Sequence, residues 1–278
     1  MFKVLPVALL TLLLVVSPLL AEPLIFAPLP METPYTVVSQ WKPLLDYLEE
    51  SLGIELEIDY SLSNDEVVDK FKAGKLDLAY LGPLPYLTLR EGFPSAEPVV
   101  VFHEKSGEPT YTCAIVATDA ARESLLELKN RRIALTQPLS TCGYFAVQGL
   151  MQNRWQTSLQ ANRFRYLGPH DEVALAVVRG EFDFGGLKTA IARKYSHLGL
   201  TILAESPPFP GLALVANSQR LAPARIEAIR RALLAADADI RRQWGDNIRH
   251  GVSAASDQNY AGMRQLPLPA SIPQQGNF

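Results

Sequence analysis

Apolar residues recur along the first third of the chain with two alternating periods, one typical of buried strands and the other of amphipathic helices. Short apolar runs predict strands at residues 24–27, 54–59, 76–81 and 99–103. Between them, residues 38–52 carry apolar side chains at helical spacing and end at Gly53, and two more helical segments end at Gly74 and Gly92. This β-α-β-α-β order predicts a mainly parallel sheet covered by helices.

The same alternation continues through the rest of the chain. It predicts strands at residues 110–118, 132–135, 164–167, 182–184, 200–204 and 212–216. It predicts helices at residues 124–128, 143–155, 171–179, 188–197 and 222–242. Residues 207–211 (PPFPG) form a rigid break, and the polar, proline-rich sequence from Gly251 onward predicts a loosely held tail.

A weak internal echo relates the two halves of the chain. Residues 71–79 (FKAGKLDLA) resemble residues 177–185 (VVRGEFDFG), since each segment has a helix closed by Gly and then a strand with an Asp near its start. Ligands of open α/β sheets bind at the carboxyl ends of strands, so two such units predict two lobes with a cleft between them. We expect one lobe to comprise residues 24–111 and 212–278, and the other residues 112–211.

The N-terminal segment predicts export. Residues 4–20 form an uncharged apolar stretch behind Lys3, and Ala21 offers a cleavage site before Glu22. We therefore interpret residues 1–21 as a signal peptide. The alternative is an uncleaved membrane anchor, but the stretch is slightly short for a span of ~20 residues and contains two prolines.

Composition and charge limit the possible partners. The chain has 278 residues, 48% of them hydrophobic, which is enough for two packed lobes. Its net charge of −3 argues against nucleic acid or an anionic membrane surface as a partner. A small anion is not excluded, because local hydrogen-bond donors outweigh a weak overall field.

The candidate chemistry lies in one turn, Ser140-Thr141-Cys142-Gly143, between a predicted strand and a predicted helix. At a helix start the first backbone N–H groups lack partners and the macrodipole is positive. Hydroxyl side chains beside such N–H groups can receive a compact oxyanion. The alternative is an ordinary N-cap, for which Ser and Thr are common residues.

With its elements in order, the chain resembles the phosphate/phosphite/phosphonate substrate-binding proteins of ABC transporters, which are two-lobed periplasmic binding proteins of the type 2 topology. The resemblance covers residues 24–242. It rests on residues 74–83 (GKLDLAYLGP), Tyr111, residues 125–134 (LLELKNRRIA), residues 140–143 (STCG) and residues 170–183 (HDEVALAVVRGEFD). It implies an α/β fold in which each lobe is a mainly parallel sheet flanked by helices, with the ligand cleft between the lobes.

The resemblance also implies the ligand-binding residues. In the family, the hydroxyl-rich turn, a Tyr and a His hold the phosphonate oxygens, which makes Tyr111, Ser140, Thr141 and His170 the expected anion ligands. Neutral hydroxyls and an imidazole can donate to an oxyanion without burying a full counter-charge. The complete predicted ligand-binding set is Gly82, Tyr111, Cys113, Ser140, Thr141, Cys142, Gly143 and His170.

Four departures from the family pattern limit the range of possible ligands. Cys142 replaces a third hydroxyl, and Asn64 stands where the family has a Tyr. Ala190 stands where binders of aminophosphonates place a carboxylate, and the turn at residues 207–211 lacks the expected Asp. An amino-substituted phosphonate is therefore disfavoured. Phosphate, phosphite, a simple phosphonate or a thiol-seeking ligand remains.

The two cysteines leave an alternative open. Alternation along the strand at residues 110–118 puts Tyr111 and Cys113 on one face. If Tyr111 and the turn that carries Cys142 touch one ligand, the two sulfurs lie close together. We then expect either a disulfide or a pair of thiols that captures a thiol-seeking ligand such as arsenite.

The predicted function is capture of a small tetrahedral oxyanion in the periplasm for an ABC transporter permease, by a monomer that needs no cofactor and no metal. One alternative is a periplasmic sensor of arsenite or a related oxyanion that uses Cys113 and Cys142 and signals to a membrane protein. The other is an enzyme with Cys142 and His170 as a nucleophilic pair. The four His residues include no pair at metal-ligand spacing.

Overall fold

The computed structural model describes residues 22–30, 33–119, 129–266 and 271–278. The predicted signal peptide and the predicted helix at residues 124–128 lie outside the described residues. Within the described ranges, no helix combines the length and the apolar character that a membrane span requires.

Strands and helices alternate through most of the described chain. The strands are β1 (Leu24–Ala27), β2 (Leu56–Ile58), β3 (Leu78–Leu81), β4 (Ala96–Phe102), β5 (Thr110–Tyr111), β6 (Cys113–Thr118), β7 (Arg132–Leu135), β8 (Arg163–Tyr166), β9 (Phe184–Lys188), β10 (Leu200–Glu205), β11 (Phe209–Pro210), β12 (Ala213–Asn217) and β13 (Val252–Ala254). The α-helices are α1 (Pro34–Leu52), α2 (Asn64–Lys72), α3 (Pro83–Gly92), α4 (Ala146–Trp155), α5 (His170–Val178), α6 (Thr189–Lys194), α7 (Pro223–Ala235), α8 (Ala238–Arg241) and α9 (Ala261–Arg264).

The strands form two large sheets and one small ribbon. The six-stranded sheet has the order β13-β4-β12-β3-β1-β2, and the five-stranded sheet has the order β10-β6-β9-β7-β8. We call each sheet with its covering helices a lobe, the first lobe containing the six strands and the second lobe the five. The first sheet takes strands from both ends of the chain and the second from the middle, while the limits 24–111, 212–278 and 112–211 remain predictions.

The α/β fold class is confirmed, but the sheets are mixed rather than mainly parallel. In the first sheet β12 runs antiparallel to β3 and to β4, and in the second sheet β6 runs antiparallel to β9 and to β10. These are the first strands after the chain crosses from one large sheet to the other. They enter without the helical crossover that makes neighbouring strands parallel.

Apolar clusters cover both faces of each sheet. In the first lobe, Trp41 of α1 packs on Phe26 and Tyr80 with ring centroids 4.6 and 4.7 Å apart. The opposite face packs on a cluster that also contains Cys142 and Phe145 of the second lobe. The start of α4 is thus buried against the first lobe, so the structure presents the two lobes in contact.

The sequence echo has a structural counterpart. The Asp77 carboxylate accepts the N–H of Ile25 at 2.8 Å and forms an ion pair with Arg220. Likewise, the Asp183 carboxylate accepts the backbone N–H of Arg132 at 2.7 Å and forms an ion pair with the guanidinium of Arg132. Each Asp therefore ties its loop to the start of a neighbouring strand. The repeated Asp is a structural tie in both lobes.

The predicted strand at residues 110–118 is two strands. Tyr111 in β5 pairs with Phe209 of β11, while Cys113 in β6 pairs with Lys188 of β9. Between them the Thr112 carbonyl accepts the N–H of Thr189 at 2.9 Å. The chain changes partners here as it crosses between the lobes, so the prediction of one continuous strand face was wrong.

Three further predictions are corrected. The strand predicted at residues 182–184 spans Phe184–Lys188, so Lys188 ends a strand instead of beginning a helix. The helix predicted at residues 222–242 breaks where the Asp237 side chain caps α8. The tail from Gly251 onward is not loosely held throughout, since β13 joins the first sheet.

The end of the chain also reaches the second lobe. Asn277 donates its backbone N–H to the Phe164 carbonyl at 3.0 Å and accepts the Phe164 N–H on its side-chain oxygen at 2.7 Å. Its side-chain nitrogen donates to the Asn162 carbonyl at 2.8 Å. Phe278 packs under Arg165, whose guanidinium carbon lies 4.8 Å from the ring centroid. The final residues therefore extend the edge of β8.

Candidate functional site

Strand β7 leads through a short loop into a π-helical turn, Thr141–Phe145, which continues as α4. The Ser140 hydroxyl accepts the N–H of Gly143 at 3.0 Å and the hydroxyl proton of Thr136 at 2.8 Å. Ser140 is therefore an N-cap, as the ordinary interpretation of this turn expected. A hydroxyl that accepts twice still has its own proton to donate, so capping and anion binding are compatible.

Thr141 lies where the two lobes meet. Its side chain is buried, and its hydroxyl oxygen accepts the N–H of Leu84, in the first turn of α3, at 3.0 Å. Gly82, which caps α3, lies beside the same hydroxyl. The N-terminus of α3 in the first lobe and the turn that begins α4 in the second lobe therefore converge on Thr141, and both carry a positive partial charge.

Tyr111 lies next to Thr141. The Nζ atom of Lys188 lies 4.7 Å from the centroid of the Tyr111 ring. Burial raises the pKa of the Tyr111 hydroxyl above its ordinary value, although the neighbouring Thr141 hydroxyl acts in the opposite direction. The phenol therefore keeps its proton at neutral pH and can act as a donor.

His170 begins α5, and its ring is fixed from the neighbouring strand. Its Nδ1 atom accepts the backbone N–H of Lys188 at 3.1 Å. Burial, helped by the positive charge of Lys188, lowers the pKa of His170 to about 4. The imidazole is therefore neutral at physiological pH, with its proton on Nε2. That N–H is the group that His170 can donate to a ligand.

The cysteines form a disulfide. Cys113 and Cys142 have Cα atoms 5.0 Å apart and are both buried. The prediction that they lie near enough to bond is confirmed. Of the two expected alternatives, a disulfide or a pair of free thiols, the structure has the disulfide. While the bond is intact neither sulfur is a thiolate, so neither can bind arsenite or act as a nucleophile. The bond joins the first residue of β6 to the turn that holds Thr141.

The two predicted glycines differ in how strictly they are required. A Cβ atom on Gly143 would lie 2.6 Å from the backbone nitrogen of Thr136 and 1.8 Å from its hydroxyl oxygen. On Gly82 a Cβ atom would make only ordinary contacts, the nearest at 3.6 Å from Thr141. Close approach of the backbone therefore requires glycine at position 143, whereas position 82 has room for a small side chain.

An ion pair that no sequence pattern indicates lies beside these residues. The Lys188 ammonium lies 2.7 Å from a carboxylate oxygen of Glu104, and both side chains are mostly buried. Glu104 follows β4 in the first lobe and Lys188 ends β9 in the second, so the pair joins the lobes. The sequence pattern did not point to Lys188, because it predicted a helix that begins at this residue. In the structure Lys188 lies instead at the carboxyl end of β9.

Asn64, which stands where the family has a Tyr, also joins the lobes. Its side-chain nitrogen donates to the Leu139 carbonyl at 3.1 Å. Because a carbonyl can only accept, this contact fixes which end of the amide faces Leu139. The Asn64 side-chain oxygen is buried and has no hydrogen-bond partner among the described residues. A donor on a bound ligand or a water molecule can satisfy it.

Of the eight predicted residues, four form the turn at residues 140–143, Cys113 is bonded to Cys142, and Gly82 lies beside Thr141. His170 and Tyr111 are both linked to Lys188, His170 through its ring and Tyr111 through the ammonium. The predicted set offers hydroxyl, imidazole and backbone donors, and it offers no carboxylate. Among the described residues there is no group of three or more His, Cys, Asp or Glu side chains that could hold a metal ion. The chemistry available is the binding of a small anion by preformed hydrogen-bond donors.

Comparison with known proteins gives a consistent result. The model of the family described as the phosphonate periplasmic substrate-binding protein of ABC transporters matches residues 26–260. The phosphate-import protein PhnD of Mycolicibacterium smegmatis is 23% identical, and the match covers 88% of this chain and 85% of that protein.

Two solved structures are similar in fold. PhnD1 of Prochlorococcus marinus in complex with methylphosphonate has a TM-score of 0.72 at 17% identity and covers 87% of this chain and 96% of its own. A binding-protein component of an ABC phosphonate transporter from Pseudomonas aeruginosa has a TM-score of 0.73 at 20% identity and covers 88% of this chain and 85% of its own.

Proposed function

The chain belongs to the phosphonate periplasmic substrate-binding protein family of ABC transporters, and on this premise we propose that it captures a small tetrahedral oxyanion: phosphate, phosphite or a simple phosphonate. The family places it in the periplasm as the substrate-binding component of a phosphonate or phosphate transporter. We propose that it acts as a monomer and passes its ligand to the permease of that transporter.

One observation carries the proposal. Thr141 lies where the starts of two helices from different lobes converge, and its hydroxyl accepts the N–H of Leu84 across the boundary between the lobes. An oxyanion bound there would receive donors from both lobes and favour their closed arrangement. The neutral imidazole of His170 adds an N–H donor without adding a charge.

The relatives support the ligand class without naming the ligand. The mycobacterial relative is a phosphate-import protein, and the Prochlorococcus structure contains methylphosphonate. Both ligands are tetrahedral oxyanions. Ala190 stands where binders of aminophosphonates place a carboxylate, which favours an anion that bears no amine.

The disulfide argues against both alternatives. Sensing of arsenite needs two free thiolates, and a Cys–His enzyme needs Cys142 as a nucleophile, yet the two sulfurs are bonded to each other. We therefore propose neither activity for the oxidised protein.

Calorimetric titration of the protein from Glu22 onward tests the proposal. Phosphate, phosphite and methylphosphonate are the test ligands, and sulfate is the comparison anion. At a hundredfold excess over Kd a true ligand stabilises the protein by about 2.7 kcal/mol, which is visible as a shifted melting curve. Binding of none of the three phosphorus oxyanions would sink the proposal.

A further inference from the structure

Lys188 is fixed by contacts with three of the predicted ligand-binding residues. Its backbone N–H donates to Nδ1 of His170 at 3.1 Å, and the residue pairs with Cys113 across β9 and β6. Its ammonium lies 4.7 Å from the centroid of the Tyr111 ring. Backbone and side chain thus both belong to the wall of the candidate site.

The charge at this wall is balanced by the opposite lobe. The Glu104 carboxylate lies 2.7 Å from the Lys188 ammonium, and the two side chains are 19% and 21% exposed. An ammonium has three protons to donate, and one oxygen of Glu104 takes one of them. Lys188 therefore keeps donors for a second anion next to Tyr111.

The remaining predicted ligands carry no full charge. Ser140, Thr141 and Tyr111 offer hydroxyls, and His170 is neutral because its pKa is lowered. Helix starts supply only partial charge. A doubly charged phosphonate or phosphate would gain most from the full positive charge of Lys188, whereas Glu104 would repel it.

We propose that Lys188 is a ligand-binding residue that provides the positive charge for the anion, and that Glu104 competes with the anion for it. This inference rests on the proposed function and adds the residue that sets the charge preference of the site. In this structure Glu104 holds the ammonium beside Tyr111. When the anion binds, the ammonium is shared between the carboxylate and the ligand, so Glu104 limits the affinity.

The competing interpretation is that the pair only holds the lobes together. Lys188→Gln and Glu104→Gln remove the same ion pair, so loss of that link alone would change anion binding in the same direction in both variants. Competition predicts opposite changes. Removing Lys188 takes away the charge that binds the anion, and removing Glu104 frees it.

The experiment is calorimetric titration of wild type and variants with methylphosphonate and with inorganic phosphate. For the anion that wild type binds, Lys188→Gln should weaken binding by about tenfold or more, Lys188→Arg should restore most of it, and Glu104→Gln should tighten it severalfold. Lys194→Gln is the matched control, since Lys194 also pairs with a carboxylate at 2.7 Å and contacts a tyrosine ring at 4.9 Å, but on the surface. It should bind as wild type does.

The outcomes separate this inference from the proposed function. The role of Lys188 is overturned if Lys188→Gln binds the anion as tightly as wild type, or if both Gln variants weaken binding to the same extent. Either result leaves the proposed function standing. If wild type binds neither of these anions nor phosphite, the proposed function fails and this inference fails with it. Melting curves of each variant confirm that the protein tested is folded.

Discussion

The backbone N–H of Leu84 donates to the side-chain hydroxyl of Thr141 at 3.0 Å, across the boundary between the two lobes. Leu84 lies in the first turn of α3, and Thr141 opens the π-helical turn before α4. One hydroxyl therefore serves as a predicted ligand and as a contact between the lobes. We therefore expect ligand affinity and lobe closure to be coupled at this residue.

Replacing Thr141 by Val should weaken both properties. The change keeps the shape of the side chain but leaves the Leu84 N–H without its acceptor, at a cost of about 1–3 kcal/mol in the free energy of unfolding. Urea unfolding measures that cost, and calorimetry measures the loss of anion affinity. Thr141→Ser keeps the hydroxyl and is the control. Full affinity in the Val variant would place the ligand elsewhere.

Reduction of the disulfide should destabilise the protein. The bond between Cys113 and Cys142 spans 29 positions, and a loop of this size contributes roughly 3.5 kcal/mol by restricting the unfolded chain. Denaturant unfolding with and without reductant measures the difference. The double variant Cys113→Ala, Cys142→Ala should be less stable and should not respond to reductant. A response as large as that of wild type would mean that reductant acts by another route.

His170 should make stability fall in acid. Its pKa in the folded protein is about 4, below the ordinary value of about 6.5 in the unfolded chain. The unfolded chain therefore takes up this proton first as pH falls, so the contribution is complete above about pH 6.5 and is lost toward pH 4. The charges that act on the ring are Lys188 and, in the opposite direction, Asp171.

The measurement for His170 is urea unfolding of wild type and His170→Gln between about pH 4.5 and 7.5. The variant should lose less stability across this range than wild type does. His197→Gln is the control, because His197 lies on the surface with its Nδ1 atom 2.9 Å from the Lys194 carbonyl oxygen. Identical pH dependence in wild type and His170→Gln would contradict the assignment.

Two glycines near the start of α4 should respond in opposite directions to alanine. Gly143→Ala drives a methyl group into the backbone of Thr136 and should cost about 1–3 kcal/mol in the free energy of unfolding. Gly149 lies within α4 with open space around its Cα, and Gly149→Ala should stabilise the protein by about 0.5–1 kcal/mol. Urea unfolding compares them. Equal effects would show that the turn yields more easily than the structure indicates.

Much of the fold could be predicted because the hydrophobic periods are strong. The glycine stops and apolar runs located α1 and β1 closely, and the turn at residues 140–143 was identified from the residue types alone. Strand direction was less accessible, because a hydrophobic run looks the same whether its neighbour is parallel or antiparallel. The direction of a strand relative to its neighbour depends on how the chain crosses between the lobes, and no local sequence pattern records that crossing.

The charged half of the candidate site escaped sequence reasoning for a physical reason. Lys188 and Glu104 are 84 residues apart, and neither lies in a motif. They meet only because β9 continues to Lys188 while β4 ends two residues before Glu104. The neutral donors were predictable since they cluster in one turn, whereas the ion pair is a product of tertiary structure.

The last residues of the chain limit how far the two lobes could separate. Leu266 packs with the first lobe, while the Tyr166 hydroxyl donates to the Pro273 carbonyl at 2.9 Å and Asn277 is bonded to the edge of β8. The seven-residue step from Leu266 to Pro273 can reach at most about 25 Å. Unless the tail detaches from β8, the two lobes can therefore separate only as far as this segment reaches. We therefore expect the extent of opening, and with it the release of a bound ligand, to depend in part on residues far from the binding site.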